Sequence, residues 1–268
     1  SAMQALLPTP WIRRWLGGLG VGSVVTGSLL SVPSMMCTCC SAPVITSLRR
    51  CQAGPGSTAA YWLGNTMLNP ATLVFMGFVL GWQWVGLRLA LGLAMVVGLG
   101  WLVNRVSRGH GATPAAATMP AAPAPTNDPP LDLASVLKRW VRIFTGMALR
   151  LLPEYLVLVL LLGAARAWLL PVLDLSIDNS LLWIMGAAVI GMLFVIPTAG
   201  EVPIVQALLS VGVAAGPAAA LLMTLPPISL PSLAMVAKSF SRTELAVLIL
   251  GVVAFGVLAA GLAIMLGF

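Results

Sequence analysis

The chain has 268 residues, 59% of them hydrophobic and 8% charged, with a formal net charge of +7 and a mean hydropathy of +1.02. A soluble domain carries about a quarter of its residues as Asp, Glu, Lys and Arg, so a water-solvated fold is excluded and an all-α integral membrane protein is expected. The basic residues cluster at segment ends (Arg13-Arg14, Arg105 and Arg108, Lys138-Arg139-Arg142, Lys238 and Arg242). That is the pattern of cytoplasmic loops under the positive-inside rule, and it speaks against nucleic acid as a partner.

Residues 1–14 form an N-terminal segment. No small-residue cleavage site follows a short apolar core, so it does not read as a signal peptide. Ser1-Ala2 ahead of Met3 reads as a non-native addition. Trp15 to Met36 is uncharged and rich in small residues, which suits a spanning helix packed closely on others. Cys51 to Leu87 is also uncharged but is interrupted by Gly54-Pro55-Gly56 and by Asn65 through Asn69-Pro70. It reads as broken or re-entrant helix. Trp84 to Val103 is a further span, with Arg88 near one end, and closes a first transmembrane repeat over 15–103.

Residues 104–134 are Pro/Ala-rich with little apolar periodicity, and a disordered cytoplasmic linker is expected there. The only histidine, His110, lies in it and reads as a solvated side chain. Residues 135–268 form the second repeat. Ser135 to Arg150 reads as a basic amphipathic helix on the inner surface. Leu152 to Leu173 spans, with Glu154 and Arg166 inside it, about 18 Å apart along a helix and so not paired with each other. Asp174 and Asp178, without Lys or Arg, mark an outer loop. Leu181 to Gly200 spans back, Val202 to Val236 is a second Pro-broken region, and Leu245 to Phe268 ends the chain.

The halves compare without a gap when "APVITSLRRCQAGPGSTAAYWL" from Ala42 is laid over "VPIVQALLSVGVAAGPAAALLM" from Val202. Pro43 falls on Pro203, Leu48 on Leu208, Gly56 on Gly216 and Ala59-Ala60 on Ala219-Ala220. Further on, "NPATLV" from Asn69 faces "LPSLAMV" from Leu230, one residue out of step. Val103 should end inside, before Arg105 and Arg108. Leu245 should begin inside, after Lys238 and Arg242. The two last helices then run in opposite directions, which makes the repeat an inverted one. In such transporters the site lies near the midplane, where broken helices of the two halves meet. Cys37 to Asn69 and Thr198 to Pro231 are the paired segments here.

The stretch "CTCCSAPVITSLRRCQAGPGSTAAYWLGNTMLNPATL" resembles the first motif of the predicted permeases of the YraQ/ArsP type, which include organoarsenical efflux permeases. "GEVPIVQALLSVGVAAGPAAALLMTLPPISLPSLAMV" resembles their second. The resemblance implies a permease, with more membrane segments ahead of the first motif than this chain carries. Thr198-Ala199-Gly200 stands where arsenical-handling relatives can carry another cysteine, which puts an arsenical substrate in doubt.

Cys37, Cys39 and Cys40 are the first candidate substrate ligands, because thiolates suit soft metals and metalloids and a broken helix could bring all three onto one ion. The alternative is packing, since cysteine behaves as a small hydrophobe. No histidine or second cysteine pair completes a zinc site, and Cys51 reads as packing. Glu201 opens the second motif two residues before Pro203. An intramembrane carboxylate is a functional hypothesis by default, so Glu201 is the candidate for ion coupling, with a helix-dipole role as the alternative. Asn65, Asn69 and Ser229 line the path or tie helices together, and Pro43 and Pro203 break the helices of the site. Arg49 and Arg50 either neutralise thiolates or snorkel to the interface.

The function expected is a secondary-active exporter of a small thiophilic or anionic solute in a bacterial inner membrane, not an enzyme. No Walker A motif is present and no cofactor or metal is called for. The partners expected are the lipid bilayer, the solute, and a proton or cation as coupling ion; a homo-oligomer is left open. The alternative is a membrane thiol redox protein using the cysteine cluster, which would want the usual Cys-x-x-Cys pair on an accessible loop and would leave the repeat unexplained. A purely structural membrane subunit, in which none of these residues matters, is the third reading.

Overall fold

Ten α-helices and no strand are found among the residues that the structure, a computed structural model, describes: 15–109, 178–193 and 199–268. All of them belong to one of the chain's two units, Thr9–Ala122 with Ile177–Phe268. The expectations for residues 1–14, for the linker from His110 onward, for the interfacial helix 135–150 and for the span Leu152 to Leu173 lie outside the described residues.

The first five helices are α1 (Val21–Ser31, continued by a 3-10 turn Val32–Ser34), α2 (Thr38–Arg50), α3 (Pro55–Met67), α4 (Pro70–Val79) and α5 (Trp82–Gly109). The second five are α6 (Leu181–Leu193), α7 (Glu201–Ser210), α8 (Ala215–Thr224), α9 (Leu230–Val236) and α10 (Arg242–Leu266). Among the described residues, α5 and α10 are the helices long and apolar enough to cross a membrane alone. At 1.5 Å per residue, α5 is about 42 Å long and α2 about 20 Å, against a hydrocarbon core of about 30 Å.

Two boundaries differ from the sequence reading. The first helix ends by Ser34, because Met35 takes a left-handed conformation (φ 42) and turns the chain. The last helix of the first set runs on to Gly109, so Asn104 to Gly109 are helix where the linker was expected to begin. Ser107 holds the extension: its hydroxyl donates to the Val103 carbonyl at 2.8 Å and to the Glu244 carboxylate of α10.

The breaks have local causes. After α2, Gln52 is left-handed (φ 63), and the Gly54 amide leaves the helical ladder to donate to the Leu16 carbonyl at 2.7 Å. Pro55 then starts α3 at the position where a missing N–H costs nothing. Asn69 caps α4, its side chain accepting from the Ala71 and Thr72 amides, with Pro70 next. Ser229 caps α9 in a capping box with Ser232, with Pro231 in the first turn. Between α4 and α5 the chain reverses at Gly81 (φ 104).

Four of the five helix pairs open with one step, whereas α2 and α7 open 163 apart (Thr38 and Glu201) and end 160 apart (Arg50 and Ser210). Val21 and Leu181, Pro55 and Ala215, Pro70 and Leu230, and Trp82 and Arg242 open α1/α6, α3/α8, α4/α9 and α5/α10, and 181 − 21, 215 − 55, 230 − 70 and 242 − 82 are all 160. The caps Asn69 and Ser229 keep this step (229 − 69), so matching the prolines put that part of the sequence comparison one residue off. The packing recurs too. Helix α3 lies against α1, α2 and α5, and α8 against α6, α7 and α10. All thirteen residues of α3 are buried, and α8 is nearly as enclosed. Small residues allow this closeness. Gly64 of α3 faces the Ser31 hydroxyl, and Thr224 of α8 turns its hydroxyl on Gly191, so the glycine and the hydroxyl residue trade sides between the sets.

Between sets the contacts cross over: α2 packs on α9, α4 on α7, and α5 on α10. Helices α5 and α10 run antiparallel. Ser107 meets Glu244 at one end, while the Trp84 and Phe268 rings meet at the other, centroids 4.9 Å apart. Exposed Arg105, Arg108, Lys238 and Arg242 all sit at the first of these ends, the basic end.

The matched Gly56 and Gly216 are each the second residue of a buried helix, and each amide is held by an asparagine, Asn104 Oδ1 at 2.8 Å and Asn179 Oδ1 at 3.0 Å. A methyl at Gly56 would collide with the Gly100 carbonyl and the Asn104 side chain. Gly56→Ala should therefore cost about 1–3 kcal/mol, read as a lower thermal unfolding midpoint in detergent. An unchanged midpoint would contradict this close approach of α3 and α5.

Candidate functional site

The site is built where α2 of the first set meets α9 of the second. Asn65 of α3, fully buried, fixes the way into α2: its Oδ1 accepts from the Ser34 hydroxyl at 2.5 Å and the Met36 amide at 3.2 Å. Cys37 follows as the N-cap in extended conformation (φ −73, ψ 162). Thr38 donates to the Pro226 carbonyl at 2.7 Å, just ahead of α9. Pro43, inside α2, has no N–H to return to the Cys39 carbonyl.

The cysteines divide. Cys37 Sγ lies 2.8 Å from Cys40 Sγ, whereas Cys39 Sγ lies 3.7 Å from the Ser229 hydroxyl. The close sulfur contact thus pairs Cys37 with Cys40, and Cys39 has a contact of its own across to Ser229. Residues three apart share a helix face, while successive residues are rotated by about 100°. No group of three or more His, Cys, Asp and Glu able to hold a metal occurs among the described residues. Cys37 and Cys40 also have Cys-x-x-Cys spacing, with Cys39 as one of the intervening residues. The reading that such a pair is lacking therefore needs correcting as to spacing. All four cysteines are free thiols and half-buried.

Glu201 is the first residue of α7 and is buried. The sequence reading brought it to the cysteines, but its ion-pair partner is elsewhere: Arg88 Nη2 donates to Glu201 Oε1 at 2.9 Å and to the Thr66 carbonyl at 3.0 Å. This is the one salt bridge found among the described residues. Arg88 is fully buried, and its Nε and Nη1 have no hydrogen-bond partner among the described residues. Sequence reasoning passed Arg88 over as the end of a span. The signal was available, because Arg88 is the only charged residue between Arg50 and Arg105.

The remaining candidates take mainly structural positions. Asn69 is 2% exposed and spends its carbonyl oxygen capping α4. Ser229 is buried, shared between its capping box and Cys39. Pro203 sits in the first turn of α7, where it removes no helical bond. It does not break that helix, in contrast to Pro43 inside α2. Ala199, left-handed at φ 68, makes the turn into α7 instead.

The two arginines at the end of α2 behave differently. Arg50 is exposed. Arg49 is buried, with Nε donating to the Ser239 carbonyl at 2.9 Å and Nη1 to the Ala53 carbonyl at 3.2 Å. Its guanidinium lies over the Phe240 ring, 5.4 Å from the centroid, and Phe240 stacks on Trp62. Arg49 therefore neither snorkels nor faces the thiols. It ties α2 to the turn before α10, about 18 Å along the helix from Cys37.

The family described as predicted permease matches residues 37–265. The UPF0718 protein YraQ of Escherichia coli (strain K12) is 45% identical over 266 residues, covering 99% of this chain and 74% of that protein. A UPF0718 protein of Methanocaldococcus jannaschii is 23% identical over 278 residues, covering 83% of this chain and 75% of that protein. No solved structure matches the chain.

Proposed function

The chain belongs to the predicted-permease family, and on that premise we propose a secondary-active permease whose two helix sets form an inverted-topology repeat and work by alternating access. The observation that carries this reading is the crossed packing of short helices, α2 on α9 and α4 on α7, between sets in which four of the five helix pairs open 160 residues apart. Short helices meeting across two repeats are where transporters of this kind hold their solute.

The basic end faces the cytoplasm on this reading, by the positive-inside rule. Counting back from Arg49 along α2 then puts Cys37, Cys39, Cys40 and Ser229 near mid-membrane. Arg88 lies 17 residues before Arg105, about 26 Å along α5, on the outer side of that level. Arg49 with Phe240 closes the inner side and Arg88 with Glu201 the outer side. The solute is small and thiophilic or anionic. The thiols serve a soft centre, as the organoarsenical resemblance implies, and the spare Arg88 donors suit an oxygen anion. A proton arriving at Glu201 removes the charge that holds Arg88, loosens the outer closure and couples ion to solute movement. The protein is a transporter rather than an enzyme and resides in the inner membrane, exporting its solute.

The test is uptake of a trivalent methylarsenical into sealed vesicles, with and without an imposed proton gradient. Gradient-dependent uptake by the wild type, falling to the protein-free background in Cys39→Ser, is the expected result. No uptake by the wild type would reject the arsenical. Uptake unchanged in Cys39→Ser would remove the α2–α9 junction from the solute path.

A further inference from the structure

We infer that Cys37 and Cys40 form a reversible dithiol–disulfide site, a modification site that is distinct from any binding of a metal or metalloid by the cysteine cluster. Three observations carry it. The two sulfurs stand 2.8 Å apart, so forming a bond of about 2.05 Å asks for a shift of less than an ångström. Both thiols are free and only half-buried, so neither sulfur is sealed within the packed helices. The third cysteine of the cluster, Cys39, has its sulfur 3.7 Å from the Ser229 hydroxyl of the other set, which gives it a contact outside the pair.

The local backbone suits the exchange. Cys37 is the N-cap in extended conformation and Cys40 lies in the first turn, so the pair can close without breaking the ladder of α2. Asn65 and Ser34 anchor the segment just before it, and Thr38 anchors it to the Pro226 carbonyl. The bridge therefore forms on a chain already held in place.

The oxidant is a low-molecular-weight disulfide, RSSR. One cysteine thiolate attacks a sulfur of RSSR, making a mixed disulfide and expelling RS⁻. The second thiolate attacks the protein sulfur of that mixed disulfide, closes the Cys37–Cys40 bond and expels the second RS⁻. Two electrons pass from the protein pair to RSSR, and the two thiol protons end on two RSH. A reducing dithiol reverses both steps. If these thiols contact the solute, as proposed above, the bridge withdraws two of them at once and oxidation turns transport down. That consequence rests on the transport reading; the site itself does not.

The test equilibrates the purified full chain with glutathione buffers from fully reduced to largely oxidised, traps free thiols with a maleimide and reads intact and peptide masses. The reduced chain should carry four adducts, one for each cysteine. The oxidised chain should lose two of them, with the peptide containing Cys37 and Cys40 lighter by two hydrogens, and dithiothreitol should restore all four. Cys39→Ser should still form this bridge, while Cys37→Ser and Cys40→Ser should not. Four adducts at every glutathione ratio, or a bridge that needs Cys39 or Cys51, would overturn the inference. Because the readout is mass, it stands whether or not the methylarsenical is transported.

Discussion

Arg88→Gln should destabilise the protein by about 3–5 kcal/mol, since removing one member of a buried ion pair leaves the other charge uncompensated. Here the stranded group is Glu201, buried at the start of α7 and paired with Arg88. Glu201→Gln should cost a comparable amount, because it keeps an acceptor for Nη2 but leaves the buried Arg88 cation without its counter-charge, with two of its nitrogens already lacking partners among the described residues. The double change Arg88→Met with Glu201→Leu should recover most of that loss, as apolar replacement of a buried pair is often neutral or stabilising. Transport should not recover with it. Unfolding in detergent measures the first quantity and gradient-driven uptake the second. If the single changes cost under about 1 kcal/mol, the range of exposed pairs, the pair is not held as the structure has it. If the double variant regains gradient-dependent uptake, the pair is structural and the coupling assignment falls.

This pair shows what was and was not legible in the sequence. Glu201 stood out because a carboxylate inside an apolar segment is costly, and its burial was foreseen. Its partner lies 113 positions away, and nothing in a single sequence links them. The spacing shared by the halves was legible because prolines and glycines punctuate both, and four helix starts keep that 160-residue step. Its register slipped by one at Asn69, where the matching of prolines overrode the caps. The structure matches Asn69 with Ser229, two residues of different type doing the same capping work. The cysteines were visible as a cluster, but which of them face one another depends on the 3.6-residue turn of α2. That separates Cys39 from the Cys37–Cys40 pair. A helix of thirteen residues could be read from composition only as part of a broken span; its crossing to α9 is a tertiary fact.

Arg49 and Arg50 make the same point at the scale of one peptide bond, and they carry the second large prediction. Arg49→Ala should cost about 3 kcal/mol. It removes two hydrogen bonds from a charged donor, each worth about 1.5–3 kcal/mol, and a cation–π contact of about 0.5–2 kcal/mol, with part of this regained as neighbours relax. Arg50→Ala, at an exposed position, should stay within about 0.5 kcal/mol. Arg49→Lys should fall between them. An ammonium keeps the charge but cannot hold the Ser239 and Ala53 carbonyls while lying flat on Phe240. If this contact closes the cytoplasmic side, its loss should also let a membrane-impermeant maleimide, applied from the basic end, label Cys39 and Cys40 faster than in the wild type. Arg50→Ala should leave that rate alone. A destabilised Arg49→Ala with an unchanged labelling rate would make Arg49 a brace between α2 and the turn before α10 and nothing more. Faster labelling would make it the inner closure of the transport cycle, because the same two carbonyls and one ring that stabilise α2 would then also decide which side of the membrane reaches the thiols.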